Sequence, residues 1–242
     1  MIIIQPDPTK LIEIIGINIR LVGLYDAPDV SKFNPVVNPE PDNHICVFSF
    51  YENWLNGETL HITKDNFGCA GAAIYLCGTE IIPREMHVQF LVEGEGLKAS
   101  HDLMNQWFDQ NNHYGPEHSN ILIGPLRDDQ HEHLKSISFF VNPDQLSTLM
   151  LGAEYNKSPK GPPAVIAPFG SGCMLLVTLF NDLNTSQAII GGTDIAARQF
   201  LPPDILTFTV TKPMFKQLCK LDGRSFLYKQ FLKDLRKARG LI

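Results

Sequence analysis

Beyond Asn120 the chain alternates between two apolar rhythms, and that alternation narrows its fold more than any other feature. Short β-branched and aromatic runs at 121–123, 136–141, 165–167, 188–190 and 206–210 read as strands. The segments between them, 143–155, 173–180, 194–200 and 213–221, read as helices, the first opened by Asn142 as N-cap and Pro143 in the first turn. Strands and helices in this succession bury their apolar faces by laying helices over a sheet. The expected fold is α/β, with α+β as the alternative: a mixed sheet covered by helices, in two intimately packed halves.

The first half is less regular. A short helix is expected from Thr9, which caps it after Pro8, to Ile15, and a strand over 20–25. Pro28, Pro35, Pro39 and Pro41 make 27–43 a loop. Two aromatic and β-branched runs, 45–51 and 59–63, flank Asn56-Gly57 and read as a β-hairpin. A helix over 68–76 closed by Gly78, a strand over 88–92 and a helix from about Ser100 to Phe108 follow. The amphipathic stretch from Ser225 onward, with Phe226, Leu227, Phe231, Leu232 and Leu235 near one stripe, reads as a docked terminal helix whose basic side is solvated. The whole, 1–242, is read as one globular domain with halves 1–119 and 120–221 and a terminal helix over 222–240.

Charge and cysteine usage exclude several classes. A net charge of −6 and a pI near 5.7 argue against nucleic-acid binding. The uncharged stretch 161–180 is broken by Pro162, Pro163, Pro168, Gly170 and Gly172, so no membrane span is expected, and 1–8 lacks the basic start of a secretion signal. Five cysteines, odd in number and set among apolar neighbours, fit a reducing, cytoplasmic setting better than a disulfide framework. No Cys-x-x-Cys and no zinc-finger spacing is present.

Two segments share one grammar of strand-like run, glycine turn, cysteine and uncharged helix. They are 59–73, with Gly68, Cys69 and Gly71, and 164–177, with Gly170, Ser171, Gly172 and Cys173. A helix start exposes unpaired N–H groups and a positive dipole end, which favour anions and thiolates. Cys69 and Cys173 are therefore the candidate nucleophiles and, with His61 on the neighbouring strand, the candidate metal ligands. Gly191-Gly192-Thr193-Asp194 repeats the turn, with Asp194 as cap and Arg198 one turn on as a fork for a ligand carboxylate or a neighbouring subunit. There is no P-loop, dinucleotide fingerprint, serine-hydrolase elbow or zinc-protease helix. The polar run Gln130-His131-Glu132-His133 reads as an exposed loop.

Several phrases in order resemble the domain-of-unknown-function 169 family. They are Gly68-Cys69-Ala70-Gly71-Ala72, Gly124-Pro125-Leu126, Phe140-Val141-Asn142-Pro143-Asp144-Gln145, 167–173, 194–198 and Leu206-Thr207-Phe208. The resemblance spans about Leu11 to Leu218 and implies a soluble prokaryotic protein, with attention to Cys69, Cys173, Asp194 and Arg198 but no reaction and no cofactor. Three functions stand at this point. One is a protein binding a small anionic or metal-containing ligand at the glycine-flanked helix starts. The others are a thiol or redox enzyme using Cys69 or Cys173, and a structural module without a ligand. A homo-oligomer is compatible with all three.

Overall fold

The computed structural model describes residues 7–16, 21–40, 46–110, 115–167 and 183–242. Its strands, β1 (Val22–Asp26), β2 (Val36–Val37), β3 (Thr59–Ile62), β4 (Ile121–Pro125), β5 (Leu134–Val141), β6 (Val165–Ile166), β7 (Ala188–Gly191) and β8 (Leu206–Thr211), form one sheet in the order β2-β3-β4-β1-β5-β8-β7-β6. The rim pairs β2·β3 and β6·β7 are parallel and every other pair is antiparallel, so the sheet is mixed as expected. The order reads the same from either rim. In each set of four, the first strand lies at the centre, the second at the rim and parallel to the third, and the fourth beside the first. Both rim strands are two residues long, which leaves little unpaired edge.

The sheet is buried on both faces. Successive residues of a strand point to opposite sides, and here both sides are apolar. Leu24, Leu60, Ile62, Ile121, Ile123, Phe140 and Ile189 enter one core with residues of α2 (Tyr51–Leu55), α3 (Ala70–Cys77), α4 (Arg84–Gln89), α5 (His101–Gln110) and α7 (Ile195–Arg198). Tyr25, Leu122, Ile137, Phe139, Ile190, Phe208 and Val210 enter the other. It is covered by α1 (Thr9–Ile15), α6 (Pro143–Glu154) and α8 (Lys212–Cys219). Burial on both sides explains why these strands read as continuous apolar runs rather than alternating ones.

Local signals account for most element ends. Asn142 and Gln145 form a reciprocal capping box at the start of α6. Gly16, at φ +72°, ends α1. The cap of α1 differs from expectation. Thr9 is its first helical residue, and the Asp7 carboxylate accepts the Thr9 N–H at 2.9 Å. The last helix, α9 (Gln230–Ala238), buries no residue fully, and Arg239 just beyond it donates to Asp144 at 2.7 Å, against the start of α6.

Two strand expectations are overturned. In the run 45–51 the described residues, 46–51, do not form a strand: Val47–Phe50 is a 3-10 turn running into α2. Phe48, Tyr51 and Trp54 recur at a helical interval and pack their rings around Phe140, with centroids 6.4, 5.2 and 5.6 Å away. The expected hairpin with β3 is therefore absent, and β3 pairs with β2 in parallel and with β4 in antiparallel. Residues 88–92 are helical as well, spanning the end of α4 and a π-helical turn, Phe90–Gly94. Val88 and Leu91, three apart, face the core while Gln89 and Phe90 are exposed. The segment from 173 to 180, expected as a helix, lies outside the described residues.

Candidate functional site

The start of α3 is set by the turn after β3. The Asn66 carboxamide accepts the Thr63 N–H at 2.7 Å and donates to the His61 carbonyl at 3.1 Å, folding the chain back toward the sheet. Cys69 then takes extended backbone angles as the N-cap residue, and Gly71 through Leu76 of the uncharged helix are buried. Gly78, at φ +64°, closes it. The start of α7 follows β7 in the same way. Gly192 takes φ +70°, which favours glycine, and Asp194 caps the helix by accepting the Ala196 N–H at 2.9 Å.

A cavity of about 620 Å³ opens between these two helix starts and the 81–97 region. Gly68, Cys69 and Gly71 line it from α3, and Asp194, Ala196, Ala197, Gln199 and Phe200 from α7. Ile81, Ile82, Phe90, Leu91 and Leu97 form the apolar wall opposite, and Cys46, His87 and Glu95 complete the polar lining. No lysine or arginine is among the described lining residues.

Burial governs the chemistry of the lining. It pushes the Cys69 thiol above its ordinary value of 9.0, and the neighbouring Cys46 and, least, the charge of Asp194 add to that effect. The N–H groups of Ala72 and Gly71 pull the other way and do not prevail. Cys69 is thus held as a thiol, against the thiolate that a helix start alone suggests. His87 is 4% exposed, its Nδ1 is buried without a hydrogen-bond partner, and its ring leans on Phe108 with centroids 5.3 Å apart. Burial lowers its proton affinity, with Glu80 opposing, so the ring is held neutral.

Of the residues singled out in the sequence, Gly68, Cys69, Gly71 and Asp194 meet at this cavity. Gly170, Ser171, Gly172 and Cys173 lie outside the described residues. Arg198 does not reach the lining. Its guanidinium donates to the carbonyls of Gly192 (3.3 Å), Pro202 (3.0 Å), Pro203 (2.8 Å) and Ile205, so the expected ligand fork instead clamps the β7 to β8 connection. His61 is also turned elsewhere, its ring nitrogens 2.9 Å from the Asn38 and Asn120 side-chain oxygens. Among the described residues no three His, Cys, Asp or Glu side chains cluster as a metal ion would need. Cys77 is a packing residue whose thiol burial pushes to about 12.

Sequence reasoning missed Cys46, His87, Glu95 and Gln199 as site residues. Cys46 falls in the run 45–51, which reads as a strand, and His87 sits at the edge of 88–92, which reads as another. The signal that places both was the three-residue interval of apolar residues in their segments.

Two helix starts flanking a cavity over one face of a mixed sheet define an α/β protein with a cleft between them. Within that class the chain belongs to the domain-of-unknown-function 169 family, described as uncharacterised ArCR, whose model matches residues 10–220. The match bears out the resemblance carried by the sequence phrases and stops short of α9. No curated protein and no solved structure matches the chain.

Proposed function

We propose that the protein binds a small, predominantly apolar molecule in the cavity between the starts of α3 and α7. The observation that carries this reading is the cavity itself, about 620 Å³ with mainly apolar walls and a few convergent polar groups. Ligand sites of ordinary size and composition look like this. The anionic or metal-containing ligand expected from the helix starts draws less support, because no lysine or arginine stands among the described lining residues and no metal-ligand cluster among the described residues. A thiolate enzyme draws less support too, since Cys69 is held protonated by its surroundings. Cys69 acts in this reading as a small wall residue beside the bound molecule.

Titration with the uncharged, apolar fluorophore Nile red tests the reading. Ala196 lines the cavity and is exposed, so Ala196→Trp narrows the compartment without disturbing the core. One equivalent of dye bound by the native protein, and a loss of about tenfold or more in affinity in A196W, is the expected result. No saturable binding, or equal binding by both proteins, overturns it.

A further inference from the structure

On the other face of the sheet, away from the compartment between α3 and α7, a second cavity of about 240 Å³ lies between the start of α6 and the terminal helix α9. We propose that it binds a small organic anion, a carboxylate or phosphate on a short apolar body, through the Arg236 guanidinium. Asn142, Asp144, Gln145 and Thr148 line the cavity from α6 and its cap. Arg236 and Arg239 face them from α9 and the residue after it.

The charges there do not balance. Arg239 occupies both oxygens of the Asp144 carboxylate, Nε to Oδ2 at 2.7 Å and Nη2 to Oδ1 at 3.3 Å. Arg236, three residues earlier and on the same side of the helix, is half-buried, and its guanidinium has no hydrogen-bond or ion-pair partner among the described residues. Its Nε is closed off, so the terminal amino groups are the ones that meet a ligand in the cavity. Cations in the last turn of a helix complement its dipole, and Lys237 does so from an exposed position. That effect gives no reason for Arg236 to turn inward. A guanidinium drawn out of water without a partner is unfavourable, and its planar fork matches the two oxygens of a carboxylate or phosphate.

The rest of the lining fits such an occupant. The positive dipole end of α6, a 12-residue helix, borders the cavity and favours negative charge. Ile15, Leu232, Leu235 and Leu241 supply an apolar wall for the body of the molecule. Ligand sites for drug-sized molecules run to ~300–1,000 Å³, so this occupant is smaller. Because α9 buries no residue fully, an anion held between Arg236 and the start of α6 also fastens the terminal helix to the domain. The wall from α9 lies beyond residue 220, where the family match ends, so the site belongs to this chain's own terminal segment.

NMR titration of the full chain at pH 8 and low salt, followed on the α9 amides and the Arg236 Nε–H, reads this site apart from the first cavity. The probes are butyrate, butyl phosphate and 1-butanol, which share an apolar chain and differ in the head group. Saturable shifts are expected with butyrate or butyl phosphate and not with butanol at the same concentrations. Arg236→Gln, checked for folding by circular dichroism, is expected to weaken the anion's affinity by about tenfold or more, read on the α9 amides. Lys237→Gln removes the same charge from the exposed side of α9 and is expected to cost less than about twofold. No saturable shift with either anion, equal shifts with butanol, or an equal loss in R236Q and K237Q overturns the proposal.

Discussion

Cys69 and Asp194 occupy the same structural role, each the N-cap of a helix that opens onto the cavity. Their coupling is measurable at the level of one side chain. The raised thiol predicts that Cys69 reacts with iodoacetamide more slowly at pH 8 than the same cysteine in unfolded chain, and that its rate keeps climbing as pH passes 9.0. Asp194→Asn removes the negative charge while keeping a side chain that caps α7. With that charge gone the thiolate is less disfavoured, so alkylation at pH 8 should accelerate slightly, by up to about twofold, followed by mass spectrometry of the labelled peptide. An unchanged rate would mean that Asp194 does not influence the sulfur. Cys69, its flanking glycines and Asp194 were legible in the sequence, because turn and cap chemistry is local and depends on residues within a few positions. The role of Arg198 was not. Its four carbonyl partners include residues on the far side of a turn whose closure only the folded chain determines.

At the scale of elements, the glycines paired across β1 and β4 carry the tightest packing. Gly23 and Gly124 stand opposite each other in the ladder. A Cβ on Gly124 would sit 2.9 Å from the Thr59 Cα, which is backbone of β3 and cannot rotate aside. Gly124→Ala should therefore cost about 1–3 kcal/mol, read as a lowered urea midpoint with an unchanged slope. Ala replacing Gly115, which has open space around it, is the control expected to move the midpoint little. Elements with local punctuation matched expectation, such as α6 behind its capping box and α3 ahead of Gly78. The two segments read wrongly share a cause. In 45–51 and 88–92, β-branched and aromatic residues that favour strands are packed by helices, because tertiary burial of Phe48, Tyr51, Trp54, Val88 and Leu91 outweighs intrinsic preference. Reading their three-residue interval over their composition would have recovered both.

At the scale of the molecule, the sheet is most deeply buried at its centre and thinnest at its rims. The central pair β1·β5 is flanked by antiparallel ladders on both sides, while β2 and β6 are two half-buried residues each. Native-state hydrogen exchange should accordingly grade from slowest in β1, β5 and β8 to fastest in β2 and β6. Rim amides as protected as the central ones would contradict this ordering. The mixed sheet and its helical cover were legible from alternation, whereas the strand order was not. Order depends on which apolar edges meet across long separations, and nothing within β1 announces that Val22 lies opposite both Pro125 and Ser138.

The order that reads the same from both rims is the one that two identical four-stranded subunits would make by joining their first strands. Seen so, α3 and α7 hold counterpart places after β3 and β7, and the cavity lies between their starts. A true homodimer must place the same residue at both counterpart positions. Within one chain the two counterpart positions need not match, and here a thiol at Cys69 shares the cavity with a carboxylate at Asp194.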